Sequence, residues 1–139
     1  MLAIAAREAD IVSVLIAMSP AGTFDLGDLR AAAIEDKLAW MCASAADRFD
    51  HIELHILLQR LVVTDKRTPV LADLAGRWGL TREEVAETPY ALIGDVGEIA
   101  AALVARRERF GFSYYTVFDR DMEAFAPVVA ALAEQQQSS

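Results

Sequence analysis

The stretch YALIGDVGEIAAALVARRERFGFSYYTVFD, residues 90–119, changes its apolar period twice. It opens on a brief apolar run, Tyr90 to Ile93, closed by Gly94-Asp95. From there Ile99, Leu103 and Phe110 recur at helical spacing, with Ala100 and Ala102 allowing close approach, while Glu98, Arg106, Arg107 and Glu108 crowd the other side. Asp95 is placed to cap this helix by accepting from the free amides of its first turn, and Glu98 completes a capping box. At the far end Arg106, Arg107 and Arg109 complement the helix dipole, and Gly111 permits the left-handed conformation that stops the helix. Phe112 to Phe118 is aromatic, β-branched and free of charge, which predicts a strand buried on both faces of a parallel sheet. A short strand, a helix and a strand in succession predict a parallel α/β protein.

The upstream chain repeats this alternation. Residues 1–9 read as the end of a helix, and Ile11 to Ile16 as a strand covered on both faces, interrupted only by Ser13. Ser19-Pro20-Ala21-Gly22-Thr23 is loop chemistry. A long helix is expected over residues 28–48, capped by Asp28, with Ile34, Leu38, Met41, Ala45 and Phe49 on one stripe and Glu35, Asp36 and Lys37 facing water. Residues 52–63 form the longest strand candidate. Its even positions are apolar apart from Arg60, and its odd positions include Glu53, His55 and Gln59. Thr68-Pro69 opens a helix that Gly79 ends, and Thr81 to Glu84 is a capping box for a short helix closing before Pro89. A last helix is expected from about Met122 to Ala133, and residues 135–139 as a disordered tail, leaving a single α/β domain over residues 1–134.

At 139 residues the chain is one domain's worth, and 55% of it is hydrophobic, a surplus that must be buried in a core or an interface. No apolar run approaches the roughly 20 residues of a membrane span. A net charge of −8 argues against nucleic acid and anionic membranes as partners. The single cysteine, Cys42, excludes an internal disulfide, fits a reducing cytoplasm and is expected to be buried as a small hydrophobe. The charged residues Arg7, Glu8 and Asp10 leave the N-terminus too short and too acidic for a secretory signal, so the expected location is cytoplasmic.

The order of elements fits an open doubly wound sheet or a segment of a (β/α)8 barrel, and periodicity does not choose between them. Three segments resemble the C-terminal part of the luciferase-like family of flavin- or deazaflavin-dependent oxidoreductases. They are Leu2 to Val12 with its Ala9-Asp10 pair, Ile52 to Gln59, and Leu92 to Ile99 followed by the arginine-rich helix and Phe110-Gly111-Phe112-Ser113-Tyr114-Tyr115. They resemble the family's helix into its sixth strand, its seventh strand, and its closing helix and eighth strand. The resemblance implies parallel βα units equivalent to about three strands of a TIM (β/α)8 barrel, incomplete as a single chain. By the same resemblance the chain starts where the sixth strand is about to begin, so the family's first five strands, and the glycine-rich turn that approaches the cofactor phosphate, fall outside it.

Barrel enzymes place their chemistry at the C-terminal ends of their strands. The resemblance therefore implies a rim of Leu15, Ile16 and Ala17 on the cofactor side, Leu61 and Val63, then Asp119 and Arg120 on the substrate side. Plain core packing competes for the apolar ones, and a local ion pair with Asp121 for Arg120. His55 reads as a hydrogen-bonded strand histidine ahead of a proton donor, and it has no His or Cys neighbour in sequence for a metal. His51 is expected in solvent, Tyr114 and Tyr115 on opposite strand faces, and Trp40 and Trp78 as packing. No catalytic residue is assigned.

The implied parent activity is hydride transfer between coenzyme F-420, or FMN, and an organic substrate, with this chain inactive alone. The alternative is a non-catalytic structural or binding module that assembles with itself. Three strands of a barrel would expose two edges and a lumen face, which favours a homo-oligomer, expected to be a dimer joined at the sheet edge.

Overall fold

The computed structural model describes residues 1–138. The chain runs through α1 (Leu2–Glu8), β1 (Ile11–Ser13), α2 (Ala31–Ala45), β2 (Glu53–Leu57), β3 (Arg60–Val63), α3 (Arg67–Trp78), α4 (Arg82–Glu87), β4 (Ala91–Gly94), α5 (Val96–Phe110), β5 (Phe112–Thr116) and α6 (Met122–Gln137), with short 3-10 turns between some of them. The strands form two parallel sheets, one of three strands in the order β1-β2-β5 and one of two, β3-β4. This is the parallel α/β architecture expected of part of a barrel.

The expected strand over residues 52–63 is one extended segment that changes partners. Up to Leu58 it bonds to β5, the Leu58 amide donating to the Thr116 carbonyl at 2.9 Å; the next amide, on Gln59, donates to the Tyr90 carbonyl at 2.8 Å. From Arg60 onward the register is with β4. The exchange also inverts the parity of burial. Leu54, Ile56 and Leu58 are buried, then Leu61 is buried while Arg60 is exposed. Arg60, the one charge among the even positions, marks the inversion.

Two apolar clusters result. The larger gathers Val12, Leu54, Ile56 and Phe112 from the first sheet, and Val14 just after β1, against Ile34, Leu38 and Met41 of α2 and Leu71, Leu74 and Val85 of α3 and α4. The smaller packs Leu61 and Leu92 against Ile99 and Leu103 of α5 and Val128 of α6. Tyr115 touches both. The capping boxes form as the sequence requires: Thr81 with Glu84 at α4, and Asp95 with Glu98 at α5. Gly79 and Gly111 take the left-handed conformation that ends α3 and α5.

Several expectations are corrected. Asp28 does not cap α2; it sits in a 3-10 turn, where its carboxylate accepts from the Ala17 amide at 2.6 Å and from Lys37, so Lys37 is tied down and does not simply face water. The helix itself stops at Ala45, where Ala46 takes φ 51°, and a 3-10 turn carries the chain to His51. Cys42 is exposed and Trp40 is 52% exposed, both on the outer side of α2. Trp78 does pack on the larger cluster, and His51 is exposed as expected. Strand β5 is not covered on both faces: Phe112 is buried but Ser113, Tyr114 and Thr116 are exposed, because β5 is an edge of its sheet and helices cover only one face. Helix α6 extends to Gln137, through residues expected as a tail; Ser139 lies outside the described residues.

The largest departure is Arg106. Expected on the polar side of α5, it is only 7% exposed. It stands in line with three charged neighbours, Arg107, Glu108 and Arg109, but it turns toward the short helix α4, where Arg106 Nη2 donates to the Ala86 carbonyl at 3.4 Å. Among the described residues no helix is long and apolar enough to cross a membrane.

Candidate functional site

Alternation along the first sheet sends Val12, Leu54, Ile56 and Phe112 into the core and presents Ser13, His55 and Thr116 on the opposite, uncovered face. The register pairs Ser13 with His55 and His55 with Tyr114, with one irregularity between Leu54 and His55. That bulge spends an extra residue on β5, so Ser113 and Tyr114 both reach the open side: Ser113 Oγ donates to Glu53 Oε1 at 3.4 Å, and the Tyr114 ring lies 4.7 Å from that of His55.

His55 is held from both sides. Its Nδ1 is 2.6 Å from Ser13 Oγ and its Nε2 is 2.7 Å from Thr116 Oγ1. A hydroxyl can donate or accept, so either tautomer satisfies both nitrogens. Partial burial pushes the imidazole below its ordinary value of 6.5, which favours the neutral ring at neutral pH. The chain Ser13-His55-Thr116 crosses all three strands, and exchange of tautomer would move a proton from one hydroxyl to the other. The paired strand histidine favoured from sequence is what the fold contains, placed where a proton relay is chemically available.

The expected rim residues separate. Leu15 is 59% exposed, Ile16 is buried and Ala17 is exposed, beyond the end of β1. This segment is fixed by its backbone: Lys37 Nζ donates to the Leu15 carbonyl at 2.8 Å, and Asp28 takes the Ala17 amide. Met18 and Phe24, bridged to one another, add exposed apolar surface after it. Leu61 and Val63 do not join the rim, because the change of partners carries them into the second sheet. Asp119 and Arg120 follow β5 in a 3-10 turn and are exposed. Arg120 is committed locally, with its guanidinium 4.4 Å from the Phe118 ring centre and 3.8 Å from Asp121 Oδ2. Neither bonds to residues 15–17 among the described residues.

A flavin or deazaflavin ring system requires an apolar wall with polar groups at its edge. The open face supplies one such wall, with exposed Ile11, Leu15 and Tyr114 around the paired His55. The residues present thus fit one side of a site for that group.

The free edge of β5 borders a cavity of about 360 Å³ between α5 and α6, lined by Val104, Arg107, Ser113, Tyr114, Phe125 and Val129. Sequence reasoning anticipated the unpaired edge but not this groove, whose walls come from two helices that meet only in the fold.

The crystal structure of the long-chain alkane monooxygenase LadA matches this one with a TM-score of 0.59 at 12% sequence identity, over 97% of this chain and 39% of that chain. At that identity the likeness shows the fold alone: parallel βα units that form part of a (β/α)8 barrel. The chain spans 39% of the length of the monooxygenase it matches. No protein-family model matches the sequence, and no curated protein does.

Proposed function

We propose that the chain works as the C-terminal three-strand part of a luciferase-like oxidoreductase barrel, in which hydride passes between coenzyme F-420 and an organic substrate, FMN being the alternative cofactor. The observation that carries this reading is the uncovered face at His55, which combines an apolar wall with a three-strand hydrogen-bond chain. The family resemblance of the sequence and the fold likeness over 97% of the chain support it. When bound, the cofactor would supply the hydride chemistry. Leu15, Ile16 and Ala17 would border it, His55 would hold or pass a proton at its Nε2, and Asp119 and Arg120 would lie toward the substrate. The remaining strands would come from elsewhere in a longer chain or from another chain, in the cytoplasm.

By itself the chain has one wall of a site, so it should neither bind these cofactors tightly nor turn over. Titration of F-420 and of FMN into the isolated chain, followed by fluorescence, checks this. Weak or absent binding agrees with the proposal; tight binding would overturn the claim that the chain is incompetent alone.

A second reading is favoured by the two unpaired edges of the β1-β2-β5 sheet and the groove beside β5. On this reading the chain is a non-catalytic module that pairs with a second copy at that edge, which buries Val104, Tyr114 and Val129. Light scattering on a dilute sample discriminates, and a stable monomer would sink this second reading.

A further inference from the structure

Arg106 is a charged side chain buried without a counter-charge. It is 7% exposed, and among the described residues its only hydrogen bond is to the Ala86 carbonyl and its Nη1 finds no partner. No ion pair involving Arg106 or Arg67 forms among the described residues. Burial lowers the Arg106 guanidinium to about 10; the nearby Tyr115 phenol opposes that shift and the positive charge of Arg67 adds to it, and the group remains a cation at neutral pH. A buried guanidinium is costly unless an anion pairs with it.

The space beside it has the dimensions of a ligand site. A cavity of about 390 Å³ lies between α3, α4, β4 and α5, lined by both Arg106 and Arg67. Arg67 Nε is bound to the Ile93 carbonyl at 3.0 Å, which fixes the side chain and leaves its terminal nitrogens for other partners. The rest of the lining is mostly apolar: Leu71, Val85, and Ala101, Ala102 and Ala105, whose small side chains on successive turns of α5 open the space. One carboxylate, Glu98, also lines it, but its Oε2 accepts from the Asp95 amide in the capping box. Two cations and one anion leave the wall one positive charge in excess. That balance suits a monoanion and disfavours a dianion such as phosphate, which Glu98 would repel.

We propose that this cavity binds a small organic monocarboxylate, its head held by Arg106 and Arg67 and its apolar body lying over Leu71, Val85 and the alanines of α5. Guanidinium groups match carboxylates with paired hydrogen bonds, and the Arg106 Nη1 donor is unspent. The site is independent of the open face at His55 and does not rest on the oxidoreductase reading.

Titration calorimetry of the full chain with sodium hexanoate and sodium benzoate tests this, beside sodium phosphate and sodium chloride at equal ionic strength. At least one carboxylate is expected to bind saturably and more tightly than phosphate. Arg106→Gln should weaken that binding about 10-fold or more, as befits loss of a charge-assisted hydrogen bond. Should that variant fail to fold, Ala102→Leu fills the cavity while keeping both arginines, and it should abolish binding and the ligand's upward shift in Tm. Silence of both carboxylates, phosphate binding as tight as either, or Ala102→Leu binding like the parent would each overturn the proposal.

Discussion

The Tyr90 hydroxyl donates to the Val14 carbonyl at 3.2 Å, tying the residue before β4 to the residue after β1. Tyr90 is 1% exposed, and its ring fills the larger cluster where the two sheets approach. Tyr90→Phe keeps the ring and strands the carbonyl, so unfolding free energy should fall by about 1–2 kcal/mol. Urea denaturation reads this directly; an unchanged midpoint would show that the bond contributes nothing net. Burial raises the phenol of Tyr90, and raises that of Tyr115 to about 12 from 10.0. The unfolded phenols ionise first, so this contribution is complete below pH 10 and is lost as pH rises toward 12. The urea midpoint should therefore decline over that window, and less steeply in Tyr115→Phe.

Asp28 and Lys37 act as one unit. Asp28 binds Lys37 and the Ala17 amide, and Lys37 also binds the Leu15 carbonyl, so the pair fixes the segment after β1. Both side chains are largely buried, at 11% and 19% exposed, which makes the interaction stronger than a surface ion pair. Asp28→Ala and Lys37→Met should each cost about 1.5–3 kcal/mol, and the double variant less than the sum. Strict additivity in that cycle would refute the coupling.

Gly94 occupies φ 151°, a conformation that side chains rarely adopt, and a Cβ built there would lie 2.6 Å from Glu98 Oε2 and 2.9 Å from Glu98 Cβ. Gly94→Ala should lower stability by about 1–3 kcal/mol, and adding Glu98→Ala should not restore it, because the backbone strain remains and the capping box is lost. Thermal unfolding of the two variants checks both statements.

His55 should titrate below 6.5 when its ring protons are followed by NMR, since partial burial disfavours the charged ring. The unfolded ring takes up its proton first on acidification. Any stability this lends is present above pH 6.5 and lost as pH falls through that value toward the folded midpoint. A midpoint at or above 6.5 would mean that Ser13 and Thr116 stabilise the imidazolium more than burial penalises it.

The elements with local signatures were legible in the sequence. Capping boxes at Thr81 and Asp95 and the stops at Gly79 and Gly111 depend on residues within one turn of each other, and all four form. Features that arise from partners distant in sequence were not. Asp28 looked like a cap because nothing local announces the Ala17 amide, and Arg106 looked solvated because α4 lies about twenty residues away in sequence. The open face at His55 was half legible: alternation placed the histidine opposite the apolar positions, but Thr116 could be paired with it only through the register of β2 with β5. The charge at Arg60 is the local sign of the change of sheet, since a strand that breaks its own alternation is a strand that has turned over.

That turnover joins the two sheets at a single peptide. The Leu58 amide belongs to one ladder and the Gln59 amide to the other. A slip of one residue on either side would rotate Leu61 outward and Arg60 inward, against the smaller cluster. Neither sheet can therefore choose its alignment alone; the chain sets both with one decision, made where β2 runs directly into β3.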